Sequence, residues 1–293
     1  MLYSRKIQEE INDLVSLNSL VTAYQEVAAL RMQGIRGDVL SQRVFANELS
    51  RLYAEIKDIY RQEIKKLLNR EHIDNPSLLF RKNGKTLYIL LSANTGFYGD
   101  IIQRTFNQFV KDTQKRQNID VAVVGEVGND MLLQIGFKKQ FTYFDVPDQK
   151  IDSPQYAKLL EFLLSYERVR IYHGLFKSLI TQEAVVTGLD EPQAGEETVE
   201  DFHVKVKWLV DPNLNKVLTF FENEMLSNVF LYTFDESQMA KLASRIFALE
   251  DATENIKKSI HKSLLLSERF SHMQENKEQL NMLSGRRLWK KRI

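Results

Sequence analysis

Residues 7–28 read IQEEINDLVSLNSLVTAYQEVA, and residues 242–260 read LASRIFALEDATENIKKSI. In the first stretch Ile7, Ile11, Leu14, Leu17, Val21, Tyr24 and Ala28 recur at steps of three and four. In the second, Leu242, Ile246, Leu249, Ile256 and Ile260 do the same, and Phe270, Met273, Leu280 and Leu283 carry the stripe on. A mean spacing of about 3.5 residues keeps an apolar seam under a left-handed supercoil. The two ends therefore read as halves of one coiled coil, although residues 29–241 separate them. A rod built from both termini with a globular body between them suggests a mechanical part more than an ordinary enzyme.

Composition agrees with long charged helices around a real core. The chain has 293 residues, 43% hydrophobic and 27% charged, with only 12 Gly and 5 Pro. That mix disfavours a loop-rich fold. The net charge of +1 gives no global field for nucleic acid. With no cysteine, disulfides and thiolate metal sites are excluded. The first twenty residues carry charges throughout, unlike a signal peptide. No stretch approaches the ~18–20 apolar residues of a membrane span, so a role at a membrane would depend on other subunits.

Residues 3 to about 68 read as one or two long helices, with Ser4 as a cap and Gly34 and Gly37 as weak points costing about 1 kcal/mol each relative to Ala. His72 to Lys85 is a breaker region. Beyond it an α/β alternation begins. Thr86 to Ser92 is a continuous apolar run, the mark of a strand buried on both faces. A helix over Asp100–Lys115, a strand over Asp120–Gly125, a short helix over Asn129–Ile135 and a strand over Phe141–Val146 follow. Ser153-Pro154 opens a helix to about Tyr166. Val169–Phe176 and Glu183–Leu189 form a strand pair. Asp190–Asp201 is an acidic loop, and His203–Val210 alternates as an edge strand. Asp211-Pro212 starts a helix to about Tyr232, and a last helix runs from Glu236 to about Leu288. The expected fold is α/β: a Rossmann-like domain with a mainly parallel sheet, plus the coiled coil. The domains are a coiled-coil helix over 1–70, the α/β domain over 71–210, and over 211–293 a helix leading into the second coiled-coil helix.

Catalytic signals are sparse. The turn Ser92–Gly99 sits between a strand and a helix, where phosphate loops lie. It lacks the three-glycine fingerprint and the Lys-Ser/Thr of a P-loop, and reads as a structural βα turn. His72, His173, His203, His261 and His272 show no metal-ligand spacing. No nucleophile elbow is present. The dense basic tail Gly285–Ile293 fits either a nucleic-acid or membrane contact or the favourable placing of cations at a helix C-terminus, and the second reading is preferred.

The run Ala243-Ser244-Arg245-Ile246-Phe247-Ala248-Leu249-Glu250-Asp251-Ala252-Thr253-Glu254-Asn255 resembles the signature of the F-type ATP synthase gamma subunit, Ser-Arg-Met-x-Ala-Met-x-x-Ala-Thr-x-Asn. Leu20–Ala29 is similar to that family's Ile-Thr-x-Ala-Met-x-Met-Val-Ala-Ala. Ser92–Gly99 is similar to its Ser-Asp-x-Gly-Leu-Cys-Gly turn, and Arg168–Leu189 to its strand pair. The order holds over essentially the whole chain. The departures are concentrated where charge matters. Ser19 and Thr22 stand where the family has lysines, Glu26 replaces a Met, and Glu268–His272 replaces Asn-Lys-x-Arg-Gln with only Arg269 keeping a positive charge. Glu278 and Gly285 match, but the tail is basic where the family's is small and apolar.

The resemblance implies a rotor shaft whose terminal helices form an antiparallel coiled coil inside a hexamer of alternating alpha and beta subunits. It further implies an α/β domain near an epsilon-type subunit and a membrane rotor ring, on the cytoplasmic face of the cell membrane. It implies no cofactor, no nucleic-acid partner and no active site in this chain. The expected ring contacts are Glu26, Arg31, Arg269, Ser271, His272 and Glu278. The rewritten contacts leave open a paralogous F-type-like motor serving motility or another mechanical task. A stand-alone nucleotide-binding α/β enzyme and a passive scaffold are the remaining readings.

Overall fold

A computed structural model describes residues 2–60, 84–148, 154–188 and 214–290. The expected helix beyond residue 60, most of the breaker region, the acidic loop, the edge strand over 203–210, the Asp211-Pro212 helix start and the last three residues of the tail lie outside the described residues. The elements are α1 (Leu2–Ile59), β1 (Thr86–Leu91), α2 (Ile101–Gln114), β2 (Ile119–Val124), α3 (Glu126–Gln134), β3 (Thr142–Phe144), α4 (Pro154–Leu164), β4 (Arg168–Phe176), β5 (Gln182–Gly188) and α5 (Leu214–Lys290).

The strands form one sheet in the order β3-β2-β1-β4-β5. The first four are mutually parallel, and β5 returns antiparallel to β4, from Phe176 opposite Gln182 to Arg170 opposite Gly188. This is the mainly parallel α/β sheet expected from the alternation of strands and helices. Strand β1 sits in the middle, and its alternate residues serve two cores. Leu87, Ile89 and Leu91 face α4 and α5 with Leu159, Leu163, Phe230 and Phe234. Tyr88 and Leu90 face α2 and α3 with Phe106, Phe109 and Leu132. A strand covered on both sides needs apolar residues at every position, which is why its sequence runs TLYILL without alternation.

Two differences concern the helices. Helix α1 is one helix through Gly34 and Gly37, the first of the two alternatives expected, but it begins before Ser4, which therefore is not its cap position. Helix α5 is also single, where two helices meeting near residues 233–235 were expected. The junction residues are not loop residues but core. Thr233 and Phe234 are buried, the Thr233 hydroxyl donates back to the Val229 carbonyl at 2.7 Å, and Phe234 packs on Tyr156. Tertiary burial overrides the weak local preference.

The chain divides into two compact units, Met1–Ala29 with Ile246–Ile293, and Leu30–Arg245. In the second, α1 and α5 run antiparallel: Gln42 bonds Asp235, Tyr53 meets Phe221 with ring centres 6.0 Å apart, and Ile56 packs with Leu218. In the first, Gln25 donates to Glu250 at 2.6 Å. The buried residues Ile7 and Ile11 lie far back along α1 from that bond, and of α5 this unit holds only four residues before Glu250, so the part after Glu250 covers them. The pairing there is antiparallel too, as the resemblance implies.

Candidate functional site

The turn after β1 is held by α5. Lys241 and Arg245 stand one helical turn apart on α5, so both point to the same side. The Lys241 ammonium is buried, donates to the Ser92 carbonyl at 2.7 Å and lies 3.5 Å from the Asp148 carboxylate. Burial lowers its pKa and Asp148 opposes that. The Arg245 guanidinium donates to the carbonyls of Gly96 at 2.7 Å and Phe97 at 3.2 Å, and to the Thr95 hydroxyl at 3.3 Å. Asn94 completes the turn: its backbone N–H donates to Asp148, its side-chain NH2 donates to Asp145, and its side-chain oxygen accepts from the Glu126 N–H.

The chemistry of this turn is the reverse of a phosphate cradle. Its carbonyls point at two cations supplied by α5, whereas a phosphate loop aims backbone N–H groups at an anion. Close packing fixes the glycine at its end. Gly99 has φ +60°, and a Cβ there would lie 2.3 Å from the Ser244 hydroxyl oxygen. The structural reading of Ser92–Gly99 follows from these contacts. Among the described residues, no group of three or more His, Asp or Glu could hold a metal. His173 is a core residue. Its ring nitrogens lie 3.0 Å from the Gly174 carbonyl and 2.8 Å from the Thr187 hydroxyl, and burial lowers its pKa to about 4.

The seam is the second feature. In the first unit the inward positions of α1 are Ile7, Ile11, Leu14, Asn18, Val21, Gln25 and Ala28, and those of α5 are Ile246, Leu249, Thr253, Ile256, Ile260, Ser263, Ser267 and Phe270. Leu17 and Tyr24, read as seam residues from their hydrophobicity, are instead 47% and 57% exposed. With Leu20 and Val27, also exposed, they form a second apolar stripe at steps of three and four. On α5 the stripe beyond Phe270 departs in the same way: Met273, Leu280 and Leu283 are exposed, as is every residue from 271 to 283.

All six expected ring contacts are exposed. Glu26 lies next to Gln25, whose partner is Glu250; from Glu250 to Arg269 is about 28 Å of helix at ~1.5 Å per residue. The structure therefore does not bring Glu26 together with Arg269, Ser271, His272 and Glu278. Those four share one end of α5, where His272 meets Glu275 at 3.5 Å and Gln274 donates to Glu278 at 3.4 Å. Arg31 belongs to the other unit.

A family profile described as ATP synthase matches residues 4–270. The chain belongs to the ATP synthase family. Membership of its F-type gamma branch, expected from Ala243–Asn255, is borne out. The ATP synthase gamma chain of Halothermothrix orenii is 21% identical over 287 residues, covering 96% of this chain and 97% of the relative. That of Desulforudis audaxviator is 20% identical over 297 residues, with the same coverage. Among solved structures, a chain from the central stalk and c-ring of the Tetrahymena thermophila mitochondrial ATP synthase aligns with 80% of this chain and 99% of its own length. Its TM-score is 0.51 at 17% identity, a likeness of fold.

Within this ATP synthase family member, two groups escaped the reading of the sequence. Lys241 and Arg245 carried a signal, two cations at i and i+4 in a stretch without other charges. Of the outward stripe, Leu17 and Tyr24 are assigned to the inward side by the sequence, and Leu20 and Val27 are given no side.

Proposed function

We infer that this chain is the central-stalk subunit of an F-type or F-type-like rotary ATPase. One observation beyond family membership carries the reading: a coiled coil whose seam is already filled still presents Leu17, Leu20, Tyr24 and Val27 to solvent. A contiguous exposed apolar stripe marks a protein contact. A collar of alpha- and beta-type subunits around the paired helices would cover it. Each catalytic subunit would meet a different face of an asymmetric rod, so rod angle biases its binding states differently. Differential contact of this kind is what couples nucleotide affinity to rotation.

Glu26, Arg31, Arg269, Ser271, His272 and Glu278 are proposed as polar contacts to the collar, with a coupling role and no chemistry of their own. The partners proposed are alpha- and beta-type subunits, an epsilon-type subunit and a membrane rotor ring. No helix among the described residues is long and apolar enough to cross a membrane. Attachment at the cytoplasmic face would come from the rest of the complex.

The absence of cysteine makes the test clean. Leu17→Cys, paired with a single cysteine on the facing beta-type subunit, should form a disulfide that stops ATP hydrolysis and is reversed by reduction. Oxidised complex that hydrolyses ATP at the full rate, with the cross-link formed, would contradict a turning shaft.

A further inference from the structure

Gln42 occupies a seam position of α1, between Ile35 and Leu49 in the heptad, where an apolar residue would pack best. Its side-chain amide donates to the Asp235 carboxylate of α5 at 2.6 Å. Its carbonyl oxygen is buried and has no hydrogen-bond partner among the described residues. The amide cannot turn over to help itself, because that would set its oxygen against a carboxylate oxygen.

An ionised carboxylate only accepts hydrogen bonds, whereas a protonated one also donates. With a proton on Asp235, its O–H can bond the stranded Gln42 oxygen while Gln42 continues to donate to the other carboxyl oxygen. Acid and primary amide then hold each other by two bonds, and no buried polar atom of the pair is left alone.

The surroundings favour the protonated form. Asp235 is 3% exposed. The titratable groups facing it are Asp38 from α1 and Tyr156 from α4. Beside it on α5, Glu236 accepts from the Tyr232 hydroxyl at 3.4 Å. These neighbours are acids and phenols. Burial first, then the like charge of Asp38, lifts the Asp235 pKa to about 6 against the opposing Gln42 bond. Burial lifts Glu236 to about 7.

We propose that Asp235 and Gln42 form a proton-operated latch between α1 and α5: protonation of Asp235 closes the second hydrogen bond and tightens the pairing of the two helices at this level. The latch rests on the geometry of this one unit and stands or falls apart from the stalk reading. A shaft so built would be stiffer in acid than at neutral pH.

The test is amide hydrogen exchange of the full chain at pH 5.5 and 7.5, corrected for intrinsic rates, on peptides spanning 35–49 and 228–242. The latch predicts that local opening in the wild type is several-fold rarer at pH 5.5. Asp235→Asn, which keeps a neutral donor and acceptor in place, should be protected at both pH values. Glu236→Gln should lose the share of the pH dependence that its own raised pKa carries and keep the several-fold change due to Asp235, and Asp235→Asn in that background should lose the rest. Equal opening at the two pH values in the wild type, or an unchanged pH dependence in Asp235→Asn, would overturn the proposal. Should Asp235→Asn fail to fold, infrared titration of the wild type and of Gln42→Leu decides. A protonated-carboxyl band that fades as pH rises through about 6 and shifts in Gln42→Leu supports the latch, and no such band, or one that ignores Gln42, refutes it.

Discussion

The guanidinium carbon of Arg245 lies over the ring of Tyr98, 3.9 Å from its centre, while its nitrogens take up the carbonyls of the turn that carries that tyrosine. One side chain of α5 thus grips both the backbone and the aromatic residue of the βα turn. The Ser-Arg of the C-terminal signature and the glycine turn of the N-terminal half, far apart in sequence, are two sides of one clasp.

Arg245→Ala should therefore cost about 1–3 kcal/mol, because it leaves part-buried carbonyls without their donor as well as losing the cation over the ring. Arg245→Lys should recover only a part, since an ammonium cannot stack and fork at once. Urea unfolding of the purified chain measures both. A loss under ~0.5 kcal/mol for Arg245→Ala would show the clasp to be incidental.

Gly99 and Gly96 make a matched pair. Alanine at Gly99 meets the Ser244 hydroxyl at 2.3 Å and its carbonyl oxygen at 2.9 Å from a left-handed backbone, whereas nothing lies within 4 Å of a Cβ at Gly96. Gly99→Ala is expected to destabilise by roughly 2 kcal/mol or more, through strain and overpacking. Gly96→Ala should stay within about 0.5 kcal/mol of wild type. Equal melting shifts for the two would contradict the close approach of α5 to the turn.

The seam and the outward stripe should separate in their effects. Ile11, 6% exposed, should cost about 2–4 kcal/mol on truncation to Ala. Leu17→Ala should leave the isolated chain nearly unchanged and lower the ATPase rate or yield of the assembled complex. Asn18, whose side-chain oxygen is buried with no hydrogen-bond partner among the described residues, should be stabilising when replaced by Leu, by about 1 kcal/mol. Melting of the chain and ATPase assay of the complex test the three together.

His173 sets a pH dependence of opposite sign to that of Asp235. Its folded pKa of about 4 lies below the ordinary 6.5, so the unfolded chain binds the proton first. The contribution is fully present above 6.5 and is lost as pH falls toward about 4. In global unfolding, His173→Asn should flatten the acid slope between those values. A slope unchanged by the substitution would mean that the imidazole is not the group responsible.

How much of this was legible follows from the kind of information each feature needs. Strand β1 could be read directly, since a six-residue apolar run has few other uses. The coiled coil could be read as a period, but not fully as a phase. Leu14, Val21 and Ala28 fit two registers that differ by one residue at alternate positions, and hydrophobicity favoured Leu17 and Tyr24. Carrying the heptad forward from Ile7 and Ile11 selects Asn18 and Gln25 instead, and the bond from Gln25 to Glu250 shows why a polar residue is tolerated there. The continuity of α5 was hidden because Thr233 and Phe234 look like a break until the sheet is there to bury them. The clasp was hidden for a related reason: no local pattern tells Lys241 that its partner is the carbonyl of Ser92. Charge departures at Glu26 and Glu268–His272 were visible at once, and the structure adds that they lie at separate levels of the rod.

The most direct measurement is an image of the native assembly, isolated through a tag on this chain, at a resolution that traces helices. The account predicts a ring of ATPase subunits enclosing α1 and the C-terminal part of α5 as one antiparallel pair, with Ile11 beside the Ile260–Ser267 stretch and Leu17 against the ring. A particle without such a ring, or one in which Ile11 and Ile256 sit on separate bodies, would contradict it.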